Sequence, residues 1–81
     1  MPEYTFTVHA RDMLREREIS EELVSQALNL PDEKNMGKDG NMHYFKSLPE
    51  RGKQVLHVVV NENVKPYRIV TLFLDRRRRA K

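Results

Sequence analysis

The stretch QVLHVVV, Gln54 to Val60, decides the fold, because it is an apolar, β-branched run of the length of one strand. A second run of this kind, Tyr67 to Leu74, follows after the turn Asn61-Glu62-Asn63. The two runs predict neighbouring antiparallel strands. Side chains alternate along a strand, so each strand has two faces.

Alternation predicts which side chains share a face of this sheet. The face that packs against helices is predicted to hold Leu56, Val58, Val60, Val70, Leu72 and Leu74. The second face is predicted to hold Lys53, Val55, His57, Val59, Tyr67, Ile69, Thr71 and Phe73. If Val60 lies near Pro66, His57 is expected opposite Ile69.

Two helices are predicted upstream of the sheet. The first covers about Val8 to Glu18, with Thr7 as its N-cap; the second begins after Ser20 and ends before Pro31. Shorter strands are predicted at Tyr4 to Val8, Glu33 to Met36 and Met42 to Leu48. The fold class is therefore α+β, with two N-terminal helices packed on one face of an antiparallel sheet of three to five strands.

Size and composition indicate one domain, residues 1–75, followed by a basic tail, residues 76–81. The chain has 81 residues and no cysteine, so packing must hold the fold without disulfides. The start of the chain has no secretory signal, and no stretch approaches the roughly 20 apolar residues of a membrane span. We expect a cytoplasmic protein with no membrane partner.

Charge is distributed unevenly along the chain. Residues 1–40 hold five Lys/Arg against nine Asp/Glu, whereas residues 41–81 hold ten against three. Such asymmetry favours a polyanionic partner on the sheet side. Four of the positive charges are the run Arg76 to Arg79, and a terminal run of this kind is more often a solvated tail.

The motif content excludes several functions. There is no Walker loop, G-x-G-x-x-G, H-E-x-x-H, EF-hand loop or G-x-S-x-G. The three histidines, His9, His43 and His57, show no metal-ligand spacing, so we expect no metal and no cofactor. A strand histidine such as His57 is usually a packed, hydrogen-bonded residue. Its functional interpretation is proton transfer beside Thr71 during phosphodiester cleavage.

A spaced set of residues near the start adds a family resemblance. His9-Ala10-Arg11, Arg17, Ile19-Ser20-Glu21-Glu22, Val24, Ala27-Leu28 and Pro31-Asp32 resemble the opening of the small bacterial and archaeal domain of unknown function family 4258. Met13 and Glu18 depart from it, because similar domains often have arginine and glycine there.

The resemblance implies a RelE-like fold, since that family is grouped with RelE-like toxins and compact ribonucleases whose sheet meets RNA. It implies His9 and Thr71 as catalytic residues, with Arg17, Lys46 and Arg68 on phosphates. The pattern of the second sheet face adds His57 to the catalytic set and Lys53 to the phosphate ligands.

Two hypotheses remain open from the sequence. The first is an RNA-binding or RNA-cleaving domain of a toxin–antitoxin type, acting without metal. The second is a non-catalytic interaction domain, in which Val55, Ile69 and Phe73 on the second face bind a protein partner, such as an antitoxin, or another copy of the chain.

Overall fold

The computed structural model describes residues 3–75, apart from Lys53 and the side chain of Glu50. The predicted tail, residues 76–81, lies outside the described residues. The elements in chain order are β1 (Tyr4–Phe6), α1 (Val8–Glu16), α2 (Glu21–Asn29), β2 (Glu33–Met36), β3 (Met42–Leu48), a 3₁₀ turn (Pro49–Arg51), β4 (Gln54–Asn61) and β5 (Tyr67–Asp75). The α+β class with two helices is confirmed.

The sheet has five strands in the order β1-β5-β4-β3-β2. Strands β2 to β5 form an antiparallel meander, as predicted, but β1 pairs with β5 in parallel. The prediction of a wholly antiparallel sheet was wrong at this edge. A parallel pair joins segments that are distant in sequence, so no local turn signal predicts it.

Both predicted helix N-caps are confirmed. The Thr7 hydroxyl accepts a hydrogen bond from the Ala10 N–H, and the Ser20 hydroxyl accepts one from Leu23. The first helix ends at Glu16 rather than Glu18, since Glu18 has a positive φ of 53° and the chain turns there towards α2. Glycine adopts this left-handed backbone without steric cost, whereas a glutamate does not.

We expect Glu18→Gly to raise the free energy of unfolding by about 0.5–1 kcal/mol. A non-glycine residue in the left-handed region costs about 1–2 kcal/mol. Removing that cost is offset by about 0.4–1 kcal/mol, because glycine makes the unfolded chain more flexible. Urea denaturation measures the change. The matched control, Glu16→Gly in the helical backbone of α1, should lower stability by about 0.5–1 kcal/mol. Equal losses in both variants would contradict the conformational explanation.

A β-bulge changes the predicted faces of β5. Val59 pairs with Thr71 and Val60 with Ile69, so Val70 is an extra residue between them. Ile69 is consequently fully buried against the helices, while Val70 is only half-buried. The predictions for Tyr67, Ile69 and Val70 were therefore wrong, because the bulge reverses the alternation before Thr71.

The remaining helix-facing predictions are confirmed. Leu56, Val58, Val60 and Leu72 are fully buried, and Leu74 packs against them. The core is completed from the helices by Ala10, Ile19, Val24 and Ala27, and from β3 by Tyr44 and Leu48. The helices thus cover one face of the sheet, and the site lies on the other.

Candidate functional site

The sheet face opposite the helices is called the open face here. Strand register assigns its side chains, because directly paired residues share a face. They are Glu33 and Asn35 of β2, His43, Phe45 and Ser47 of β3, Val55, His57, Val59 and Asn61 of β4, and Arg68, Thr71, Phe73 and Asp75 of β5. His57 lies opposite Phe73, so its predicted partner Ile69 was wrong. Val60 pairs with Ile69 rather than near Pro66, which shifts the register by three residues, and the bulge adds one more.

The start of α1 brings His9 onto the open face. Thr7 ties this turn to β5, since its N–H donates to the Ile69 carbonyl at 3.1 Å and its hydroxyl donates to the Val70 carbonyl at 2.9 Å. His9 Nε2 consequently lies 3.0 Å from the Thr71 hydroxyl oxygen, and His9 is exposed. Two residues that are 62 positions apart in sequence thereby form one polar contact beside open solvent.

The other two histidines contact each other on neighbouring strands. His43 Nδ1 lies 2.7 Å from His57 Nε2. Each ring also faces a carboxylate: His43 Nε2 lies 3.2 Å from Asp39 Oδ1, and His57 Nδ1 lies 3.6 Å from Asp75 Oδ2. We call Asp39, His43, His57 and Asp75 the histidine cluster.

The carboxylate of Asp39 is held in its charged form. The backbone N–H of Asn41 donates to it at 3.0 Å, and the His43 ring lies against it. These two contacts, in that order, hold the pKa of Asp39 below its usual range. The turn before β3 therefore presents a fixed negative charge to His43.

Aromatic rings enclose His57. Its ring centroid lies 4.3 Å from that of Phe45 and 4.6 Å from that of Phe73. The His57 side chain is only 12% exposed. Phe45 and Val59 on the same face are 6% and 5% exposed. His57 is thus a packed residue with a hydrogen-bond partner, whereas the His43 side chain is 21% exposed and His9 is the most exposed of the three histidines.

The predicted phosphate ligands are dispersed. Arg68 is exposed on the open face, beyond Thr71. Lys46 lies on the helix side, where its ammonium donates to the Leu30 carbonyl at 3.0 Å. Arg17 is exposed just beyond the end of α1. Lys53 lies outside the described residues. The open face therefore gathers His9, Thr71, His57 and Arg68 but neither Lys46 nor Arg17.

Sequence reasoning missed three members of the histidine cluster. His43 was considered only as a metal ligand, Asp39 was not considered as a site residue, and Asp75 appeared only as the last residue of the predicted domain. The signal for His43 lay in the hairpin between β3 and β4, whose register pairs Phe45 with His57 and places His43 diagonally across from it. Among the described residues, no group of three His, Cys, Asp or Glu is arranged to hold a metal ion.

Positive charge is not concentrated in the described part of the chain. Residues 3–75 carry ten Lys/Arg against twelve Asp/Glu. The other five positive charges of the chain lie in residues 76–81. Within residues 3–75, no helix has the length and apolar character needed to cross a bilayer.

Fold and site together define a small α+β domain with a mixed five-stranded sheet and a histidine-bearing open face. The chain belongs to the family described as Domain of unknown function (DUF4258), whose sequence profile matches residues 6–74. No curated protein and no solved structure matches the chain.

Proposed function

We propose that this protein is a RelE-like, metal-independent ribonuclease domain that binds single-stranded RNA on its open face and uses His9 to move the proton. One observation supports this most strongly: exposed His9 is held 3.0 Å from Thr71 at the edge of the open face. General acid–base catalysis needs a titratable group near neutrality that can reach its substrate, and imidazole is the usual one.

The proposed step conserves atoms and charge. Neutral His9 takes the proton from a ribose 2′-hydroxyl, and the 2′ oxygen attacks the adjacent phosphorus. The bond from phosphorus to the 5′ oxygen breaks, which leaves a 2′,3′-cyclic phosphate. The imidazolium of His9 then gives its proton to the departing 5′ oxygen. Thr71 orients the ring through the 3.0 Å contact, and the proton of that contact lies on either atom according to the tautomer.

Arg68 is the proposed phosphate ligand. It is exposed on the same face as Thr71, and guanidinium matches phosphate geometry. Arg17 lies eight residues beyond His9, about 12 Å along the helix direction at 1.5 Å per residue. Arg17 would therefore meet a different nucleotide from the one at His9. Such a domain would act in the cytoplasm, and an antitoxin protein would be its natural inhibitor.

The alternative of a protein-binding apolar face has less support. Val55 and Val59 are only 6% and 5% exposed in the single chain, so they need no further cover. Ile69, which was expected to contribute to such a face, points to the helices. Among the described residues the large, strongly exposed apolar side chains are Val8, Leu30 and Met36, none of which belongs to the open face.

Incubation with a single-stranded RNA of mixed sequence, in the presence of a metal chelator, tests the proposal. We expect cleavage products that end in a 2′,3′-cyclic phosphate and begin with a 5′-hydroxyl, identified by mass spectrometry. RNA that stays intact at a protein concentration well above that of the substrate would overturn catalysis. Binding that is insensitive to salt would overturn the phosphate contacts, because these weaken steeply as salt rises.

A further inference from the structure

The histidine cluster is a second arrangement of titratable groups on the open face, and His9 takes no part in it. Its four members form a chain: Asp39 to His43 at 3.2 Å, His43 to His57 at 2.7 Å, and His57 to Asp75 at 3.6 Å. The members come from the turn before β3 and from three consecutive strands of the meander. Pairing of β3, β4 and β5 therefore sets the distances between them.

The charged carboxylate of Asp39 favours one arrangement of protons along the chain of contacts. His43 Nε2 faces the Asp39 carboxylate, which can only accept, so this nitrogen carries a proton. His43 Nδ1 is then the acceptor in a neutral ring, and His57 Nε2 must be the donor across the 2.7 Å contact. In the neutral pair, His57 Nδ1 is consequently unprotonated.

We infer that the histidine cluster is a proton-binding site that takes up a single proton at His57 Nδ1 while the rest of its hydrogen bonds stay in place. The added proton lies towards Asp75 Oδ2, 3.6 Å away, where the negative charge favours it. A second proton would have to enter the contact between the two rings. It would place two donors and two positive charges against each other at 2.7 Å, so the pair would have to separate.

Carboxylates lie at both ends of the chain of contacts. Asp39 faces His43 from the turn, and Asp75 faces His57 from β5. From β2, Glu33 lies on the same face opposite Phe45, and neutral Asn35 pairs with His43. The two outer ring nitrogens of the pair thus each lie against a carboxylate.

Gly37 helps to hold the first contact of the chain. A Cβ at this position would overlap both His43 Nε2 and Asp39 Oδ1. The backbone therefore approaches the ring as closely as only glycine permits. Gly37→Ala would displace His43 from Asp39 without removing any titratable group.

Nitrogen-15 NMR of the three imidazoles across the pH range of histidine titration tests the inference on the wild-type protein without RNA. As the pH falls, we expect the nitrogen-15 signal of His57 Nδ1 to change first, from that of an unprotonated to that of a protonated nitrogen. His43 should keep its proton on Nε2 only. His9, whose ring contacts Thr71 rather than the cluster, serves as the internal reference. If His43 and His57 took up protons independently, with the same pH midpoint, the inference would be overturned.

Asp75→Asn provides the matched variant, because it removes the charge beside His57 Nδ1 and preserves the side-chain shape. The titration midpoint of His57 should move to lower pH by about one unit. Asp12→Asn, a change in an exposed carboxylate that pairs with Arg15 on α1, should leave it in place. Equal midpoints in the two variants would contradict the role of Asp75.

The proton adds a positive charge to the open face, and the effect of that charge on RNA rests on the proposed function. RNA affinity should increase several-fold as pH falls through the His57 midpoint, and His57→Gln should lose this part of the increase. A protein whose imidazoles behave as expected but which binds no RNA would sustain the proton site and overturn only the proposed function.

Discussion

The His9→Ala variant should cleave RNA about 10²–10⁴-fold more slowly than the wild type, which is the usual contribution of a general acid–base residue. His9 is exposed and makes its polar side-chain contact with Thr71, so its removal leaves the core intact. Initial rates of RNA cleavage under single-turnover conditions measure the change. Urea denaturation of the same variant should show a midpoint close to that of the wild type.

Arg15→Ala is the control for this experiment. Arg15 lies on the same helix, its side chain is 82% exposed, and its contact is with Asp12 rather than with the open face. The cleavage rate of this variant should stay within a factor of about two of the wild-type rate, allowing for the loss of one distant surface charge. If His9→Ala cleaves as fast as Arg15→Ala, His9 does not move the proton.

Leu56→Ala should lower the free energy of unfolding by about 2–5 kcal/mol, the range found for buried leucines. Leu56 has no exposed surface, and β4 is the central strand of the sheet, between β3 and β5. The free energy of unfolding of a native protein is about 5–15 kcal/mol, so the loss is a large fraction of the stability. Urea denaturation measures this loss. The slope of the free energy of unfolding against urea concentration should be the same as in the wild type.

The same substitution at an exposed leucine is the matched control. Leu30 is 70% exposed at the end of α2, so Leu30→Ala should change stability by no more than about 0.5 kcal/mol. A Leu56→Ala variant as stable as Leu30→Ala would contradict the assignment of Leu56 to the core.

Local signals predicted the fold wherever one side chain or one turn decides the structure. Thr7 and Ser20 were predicted as N-caps because their hydroxyls satisfy free N–H groups, and both do so. Pro31 correctly placed the end of α2. Strand β3 was predicted over Met42 to Leu48, which are its bounds in the structure.

Contacts between distant segments were beyond such signals. Pairing of β1 with β5 joins two ends of the fold, and the bulge at Val70 is decided by packing rather than by residue type. The bulge moved Tyr67 and Ile69 to the helix side. An alternation rule with no inserted residue cannot predict that change.

Only part of the candidate site could be predicted from the sequence, because contacts between distant segments have no local signal. Residue chemistry selected His9, His57 and Thr71, which the fold places on one face. It did not predict that His9 would contact Thr71 or that His57 would contact His43, because both contacts depend on three-dimensional pairing. Lys46 was assigned to the right strand, but its alternation position directs it to the helices.

The proposed RNA cleavage on the open face requires a 2′-hydroxyl at the cut site, so removal of that one hydroxyl from the substrate is the test. Wild-type protein is incubated with an RNA oligonucleotide and with the same oligonucleotide carrying a single 2′-deoxyribonucleotide at the position that the protein cuts. We expect the protein to cleave the unmodified RNA. It should not cleave the second oligonucleotide at the 2′-deoxyribonucleotide, because the 2′ oxygen that attacks the phosphorus is missing there. Equal cleavage of both at that position, or of neither, would contradict the proposed cleavage.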